Sequence, residues 1–347
     1  MSAAAEPVPV SVVTGFLGSG KTTLIGRVLR DPAFARSAVI VNEWGEIGID
    51  HTLLAQGSET LMTLATGCLC CRMEGSLGAT LRNLAREAGA GGYDRVLVET
   101  SGLADPVPIL GSVAGDPDLA RVHRLDSLIT LVDASAGAAA LARHPEARRQ
   151  VAVADRIVLT KTDLAAPDAA LDAVLAETAP GVPVLRAVRG AIDPALLFAP
   201  ADPAARAARL LAQAPAGAAD PFARAMHGAG RGGIAIQRDA PIAGAALSLF
   251  VETLIAQCGP RLLRLKGLAE LIEAPGQPLL LQAIQHALAP IEILPEYPPG
   301  FAGGLCLMLI GEAIPPYFPA RLLAAIEAEV AEADAALPAS GDPVQRA

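Results

Sequence analysis

Apolar positions recur along this chain in two rhythms. From Val10 to about Phe198, short continuous apolar runs rich in β-branched residues alternate with stretches of helical periodicity. The runs are VSVV (10–13), AVIVN (38–42), RVLVE (95–99), SLITLVD (127–133), RIVLTK (156–161) and VPVLRA (182–187). A run without polar alternation suits a strand buried on both faces, so helices between such runs predict a mostly parallel sheet covered on both sides. From 200 to 229 the sequence turns rich in Ala and Pro with little β character, and it reads as a linker. Beyond it, GGIAIQR, RLLRLKG, PLLLQAIQH and LCLMLIG predict strands, and GAALSLFVETLIAQC and PARLLAAIEAEVAEADAAL predict helices. The order β-α-β-β-β-α makes a smaller α+β domain. The expected organisation is therefore an α/β domain over 1–199, a linker over 200–229, an α+β domain over 230–337 and a flexible tail over 338–347.

Composition narrows the setting. The chain has 347 residues, a formal net charge of −9, and 52% hydrophobic residues. That balance suits a large core and lacks the basic footprint that nonspecific nucleic-acid binding needs. No apolar run reaches the ~18 residues of a membrane-spanning helix. The segment MSAAAEPVPV has neither the basic n-region nor the apolar h-region of an export signal. A cytoplasmic chain is expected, with no nucleic acid and no membrane among its partners. Three of the five cysteines, Cys68, Cys70 and Cys71, fall within four positions. That spacing is too tight for ordinary mutual disulfides, and a reduced metal or redox site is the reading.

GFLGSGKT, from Gly15 to Thr22, fits G-x-x-x-x-G-K-[ST] between a predicted strand and the predicted helix TTLIGRVL. In that context the motif is a phosphate loop, and the chain reads as a P-loop NTPase. Gly15 opens the motif, and Gly18 and Gly20 let the backbone fold so that its N–H groups face anionic oxygens. The helix that follows adds its N-terminal dipole. Lys21, read here as a surface lysine, reaches the β/γ-phosphates, and the Thr22 hydroxyl can ligate Mg²⁺. Ser19 and Thr23 complete the expected nucleotide-contacting set.

Two more strand ends carry acids. RVLVETSG puts Glu99 at the C-terminal tip of a strand, where a carboxylate can hold Mg²⁺. Gly102, three residues on, is placed to contact the γ-phosphate and to sense its loss. In LTKTD, Asp163 can accept two hydrogen bonds from guanine, Lys161 can lie along the base plane, and Thr160 opens the motif. Adenine would leave that carboxylate unpaired, so GTP is the expected nucleotide. AVRG (187–190) is placed to offer the base a backbone contact.

ATGCLCCRMEG brings three thiols onto a turn that follows a glycine, a donor set for one soft or borderline ion. Glu43 and Glu46 in NEWGEIGID are candidate further ligands, and Asp50 could approach Mg²⁺. Cys258 and Cys306 sit in apolar runs and read as core. Glu252, Glu270 and Glu273 read as a solvated face.

Together these segments resemble the CobW-type family of metallochaperone GTPases, within the SIMIBI class of P-loop proteins. TGFLGSGKTTL, VNEWGEIGID, GCLCC, VETSGLADP and VADRIVLTKTD follow that family in order and spacing, and LLRLKGL and LQAIQH resemble its C-terminal domain. The resemblance spans nearly the whole chain. It implies GTP hydrolysis coupled to binding and release of Zn²⁺ or Co²⁺ at Cys68, Cys70 and Cys71, with a client metalloprotein as partner and a second copy as a candidate one. The histidine-rich stretch that many members carry is reduced here to His227 in PFARAMHGAGRGG. Three alternatives stay open: an ATP-using P-loop kinase or transferase, a passive metal buffer with weak NTPase activity, and a cobalt-handling GTPase serving cobalamin synthesis.

Overall fold

The computed structural model describes residues 7–42, 54–57, 61–64, 69–72, 77–88, 92–165, 169–179, 182–198, 207 and 231–336. Of 42, 54–57, 61–64, 69–72, 87, 88, 112, 231–233 and 334 it describes the backbone alone.

The first sheet is built from β1 (Val8–Gly15), β2 (Ser37–Asn42), β3 (Leu54–Gly57), β4 (Leu61–Leu64), β5 (Leu69–Arg72), β6 (Arg95–Thr100), β7 (His123–Asp133), β8 (Arg156–Thr160) and β9 (Val184–Arg186). Its spatial order is β3-β4-β5-β2-β6-β1-β7-β8-β9. From β5 to β9 every neighbouring pair is parallel, whereas β3 and β4 form an antiparallel edge. All six expected strands are present, and the all-parallel centre follows from their unbroken apolar runs. The strands β3, β4 and β5 depart from expectation. GCLCC read as a turn, yet Leu69–Arg72 pair with β2 on one side and β4 on the other. Four-residue strands take their identity from their neighbours, which local patterning does not report.

Helices cover this sheet: α1 (Lys21–Val28), α2 (Leu77–Ala88), α3 (Pro106–Ala114), α4 (Pro117–Ala120), α5 (Gly137–Arg143), α6 (Pro145–Ala152), α7 (Ala169–Thr178) and α8 (Pro194–Leu197). From β1 the chain crosses to β2 on one side, and from β6, the neighbour of β1, it crosses to β7 on the other, so the connections diverge between β1 and β6. The crevice at the carboxyl ends of such a strand pair is where open α/β sheets bind ligands.

The C-terminal domain has a separate antiparallel sheet of β10 (Arg231–Arg238), β11 (Leu262–Leu271), β12 (Ala274–Ile284), β13 (Ala287–Leu288), β14 (Glu292–Ile293) and β15 (Leu305–Glu312). The order is β10-β15-β11-β12-β13, with β14 also on β12. Helices α9 (Gly244–Cys258) and α10 (Phe318–Ala336) supply Phe250, Leu254 and Ile326 to a core shared with Leu265 and Leu307. Removing a ring as buried as Phe250 costs about 3–5 kcal/mol. Cys258 and Cys306 are buried in apolar clusters, where burial pushes both thiols up. Glu270 departs from the expected solvated face. It is buried and accepts from the Tyr297 hydroxyl and from the Gly276 and Gly304 N–H groups, tying strand ends together. Glu273 is exposed but accepts from the Gly244 N–H at the start of α9.

The two domains share a core in which Val107, Leu110 and Val113 of α3 meet Leu263, Ile284 and Ala287. Beside it the buried Arg264 donates to the Val153 carbonyl at 2.6 Å and to Asp155 Oδ2 at 3.0 Å, and Lys266 pairs with Asp155 Oδ1. Burial pushes the Asp155 carboxyl up, but the Arg264 and Lys266 charges outweigh it and hold the group far below the usual carboxylate range. Removing one partner of such a cluster would leave a buried charge uncompensated. Among the described residues no helix is long and apolar enough to cross a membrane.

Candidate nucleotide and metal site

At the carboxyl end of β1 the chain turns through Gly15, Gly18 and Gly20, all at positive φ, before α1 begins. Gly20, at φ 94°, is the residue from which the helix starts, and a side chain there would be strained. No side chain caps α1 at Gly20 and none of its own first-turn residues is acidic, so its N-terminal dipole favours an anion at the loop. Lys21 corrects the sequence reading. It is buried, and its ammonium donates to the Gly15 carbonyl at 2.9 Å and to the Phe16 carbonyl at 3.3 Å. The lysine therefore closes the loop as well as presenting its charge to it.

Thr22 Oγ1 donates to Glu99 Oε1 at 2.5 Å, although 77 positions separate the two residues. Glu99 is fully buried at the end of β6. One hydroxyl and one carboxylate oxygen converging at the mouth of a phosphate loop are hard donors of the kind Mg²⁺ prefers. The turn after β6 lies against the loop: a Cβ on Gly102 would stand 2.8 Å from the Leu17 nitrogen, so only glycine fits.

Three loops form the base end. Thr160 is buried and donates to the Ser19 carbonyl at 2.8 Å, which makes it a brace for the phosphate loop. Lys161, at φ 56°, pairs with Asp133 Oδ2 at 2.6 Å. Burial pushes the Asp133 carboxyl up, and hydrogen bonds from Lys161 and Ser135 more than reverse this and hold it below its ordinary value. Asp163 faces the exposed Arg189 at 3.5 Å. Gly190 packs against the Thr23 backbone, so the AVRG loop rests on α1.

Sequence reasoning missed Asp133, although its place at the end of SLITLVD is the same strand-tip signal that marked Glu99. It also missed Arg149 and Gln150. Gln150, fully buried on α6, donates to the carbonyls of Gly102 at 3.0 Å and Ala104 at 3.1 Å. Arg149 donates to Asp105 at 2.7 Å and grips Glu312 of β15 through two bonds of 3.0 and 3.1 Å. Polar residues on a short helix otherwise look like a solvated face.

Of the expected metal ligands, Glu43, Glu46, Asp50 and Cys68 lie outside the described residues, and Cys70 and Cys71 are described by backbone alone. Among the described residues no group of three or more His, Cys, Asp or Glu side chains stands ready for a metal. The backbone relation is nonetheless definite. Cys71 is in register with Ile40 of β2, which is in register with Val98 of β6, next to Glu99. Two strand spacings, roughly 10 Å, separate the cysteine strand from the Glu99 strand.

A parallel sheet whose central strand opens into a phosphate loop, joined to an antiparallel C-terminal domain, defines a P-loop GTPase with an accessory domain. Residues 9–186 match the CobW/HypB/UreG nucleotide-binding domain and residues 232–328 the cobalamin synthesis protein cobW C-terminal domain. The chain belongs to the CobW family and is a GTP hydrolase. It is 32% identical over 285 residues to the zinc chaperone YjiA of Escherichia coli, covering 81% of this chain and 87% of the relative. It is 38% identical over 226 residues to the zinc chaperone CobW of Pseudomonas aeruginosa, covering 55% of this chain and 59% of the relative. The crystal structure of Zn(II)-bound YjiA GTPase from E. coli superposes with a TM-score of 0.68 at 28% identity, covering 93% of this chain and 99% of that one.

Proposed function

We propose that this GTPase is a metallochaperone that binds Zn²⁺ as cargo and passes it to a client protein under control of its nucleotide. Cys68, Cys70 and Cys71 take the ion, and Glu43 or Glu46 completes the set. Residues 1–199 form the GTPase domain, 200–229 a linker and 230–337 the module that faces the client, in the cytoplasm. The zinc chaperone YjiA supports the metal, since its Zn(II)-bound structure aligns with 93% of this chain and so spans both domains. The observation that carries the coupling is the sheet register: β2 alone separates the cysteine strand from β6, which carries Glu99 one residue before its end.

The chain's own residues would divide the work as follows. The N–H groups of the loop and of α1 cradle the phosphates, and Lys21 exchanges loop carbonyls for β/γ-phosphate oxygens. Asp163 accepts from guanine, with Lys161 held beside the base by Asp133. The Gly102 N–H meets the γ-phosphate. Thr22 and Glu99, with Asp50, would hold Mg²⁺. When bound, that ion supplies positive charge that neutralises the phosphate oxygens. Segment 43–50 leaves the end of β2, next to Glu99, so ordering it around GTP also organises Glu43 and Glu46 for the cargo. Hydrolysis releases that order and loosens the thiolate site.

The test is a metal titration of the full chain, with and without a non-hydrolysable GTP analogue, in competing Zn²⁺ and Co²⁺, paired with GTP affinity with and without metal. Linkage requires the two effects to be equal. Tighter Zn²⁺ binding with the analogue supports the proposal. Metal affinity that ignores the nucleotide overturns it in favour of a passive buffer, and preference for Co²⁺ moves the protein to cobalt handling.

A further inference from the structure

Two adjacent residues of α6 hold the turn that follows Glu99. Gln150 Nε2 donates to the carbonyls of Gly102 and Ala104, while the backbone carbonyl of Gln150 accepts from Thr130 Oγ1 at 2.7 Å, which anchors the helix to β7. Arg149 binds the next acid of the same turn, Asp105, whose other oxygen caps α3 through the Val107 N–H at 3.0 Å. The remaining face of the Arg149 guanidinium is filled by both oxygens of Glu312, at the end of β15 in the C-terminal domain. A two-bond fork of this kind fixes direction as well as distance. The helix that Asp105 caps is itself buried against Ile284 and Ala287 of the C-terminal domain. Through Asp105 and Arg149, the turn that carries Gly102 is thus linked to a contact between domains.

We propose that Gln150 is a positioning residue for GTP hydrolysis and that Arg149, through Glu312, makes the rate depend on the seating of the C-terminal domain. The proposal rests on the reading that Gly102 meets the γ-phosphate. Held by Gln150, the turn presents its N–H to the phosphate without reorganising, and preorganised donors lower barriers. A client that displaces Glu312 would loosen Asp105 and α3 together. Reciprocally, loss of the γ-phosphate would relax the domain contact.

The experiment measures single-turnover GTP hydrolysis, affinity for GDP and for a non-hydrolysable GTP analogue, and melting temperature on the full chain. The variants are Gln150→Leu, Glu312→Ala, Glu312→Gln, Gly102→Ala and Gly102→Pro. Gln150→Leu keeps the volume and removes the donor. It should slow hydrolysis roughly tenfold and weaken the analogue while GDP affinity holds. Glu312→Ala, at a partly exposed strand end, should slow hydrolysis about threefold with GDP affinity unchanged, and Glu312→Gln should recover part of that rate. If GDP and analogue weaken together, or if hydrolysis by folded Glu312→Ala and Gln150→Leu matches wild type, the proposal falls. Gly102→Pro set against Gly102→Ala separates the two ideas, because both add the Cβ that meets Leu17 and only proline removes the N–H. Equal rates in these two variants overturn the γ-phosphate reading itself, whereas a further loss in Gly102→Pro with normal Gln150→Leu and Glu312→Ala overturns only the positioning role.

Discussion

Thr22 and Glu99 meet at 2.5 Å across the mouth of the phosphate loop, one on the first turn of α1 and the other buried at the tip of β6. Glu99→Gln keeps the hydrogen bond and removes the charge. It should cut GTP hydrolysis roughly a hundredfold and raise the Mg²⁺ concentration needed for half-maximal rate. Hydrolysis titrated with Mg²⁺ reads both. An unchanged Mg²⁺ dependence would remove Glu99 from the proposed ion site.

Lys21 is buried and bonded to two loop carbonyls, so Lys21→Ala should act twice. Hydrolysis should fall by a factor of about 10² or more, and stability should fall by ~1–3 kcal/mol because the loop loses its closure. Denaturant unfolding beside a hydrolysis assay measures both effects. A wild-type rate in this variant would mean that the loop does not act on phosphate.

Asp163 should select guanine. Asp163→Asn should weaken GTP roughly tenfold or more and improve xanthosine triphosphate, because the hydrogen-bond polarity is reversed. Its partner Arg189 is mostly exposed, so Arg189→Ala should leave stability almost unchanged. Equal affinity of the wild-type chain for ATP and GTP would refute this account of the base site.

Changing Cys68, Cys70 and Cys71 together to serine should abolish tight Zn²⁺ binding and spare GTP binding. Thiolate ligation releases protons, so wild-type affinity should rise with pH toward the ordinary thiol pKa of ~8.5. Isothermal titration at two pH values tests this. Retention of tight Zn²⁺ binding by the triple variant would relocate the cargo site.

His123 is buried on β7, where its Nε2 shares a 2.7 Å hydrogen bond with the Tyr93 hydroxyl. Burial lowers its pKa from 6.5 to about 4. A lowered histidine pKa means that the unfolded chain binds the extra proton first. Its contribution is therefore complete above ~6.5 and shrinks as pH falls toward 4, by about 2–3 kcal/mol at pH 4.5. His123→Gln should flatten this limb in denaturant unfolding at pH 7 and pH 4.5. The same loss in the variant would assign the acid sensitivity elsewhere.

What was legible in the chain alone was what neighbouring residues encode. The phosphate loop is eight consecutive residues after an apolar run, so its strand, turn and helix announce one another. Glu99 and Asp163 were visible because each follows a run that could only be a buried strand. The four long strands and two helices of the C-terminal domain were readable for the same reason, but the two-residue strands β13 and β14 were not. The short strands β3 to β5 were not, because pairing with neighbours, rather than their own four residues, makes them extended. The burial of Lys21 and Glu270 was also hidden, since a charged residue carries no local mark of the carbonyls or N–H groups that will surround it. The couplings lay furthest from view. Thr22 and Glu99 are 77 positions apart, Arg149 and Asp105 are 44 apart, and Arg149 and Glu312 are 163 apart. Local pattern sets which backbone segments form and which faces they bury. Register within the sheet and packing between domains decide which polar groups then meet, and only the tertiary structure contains those.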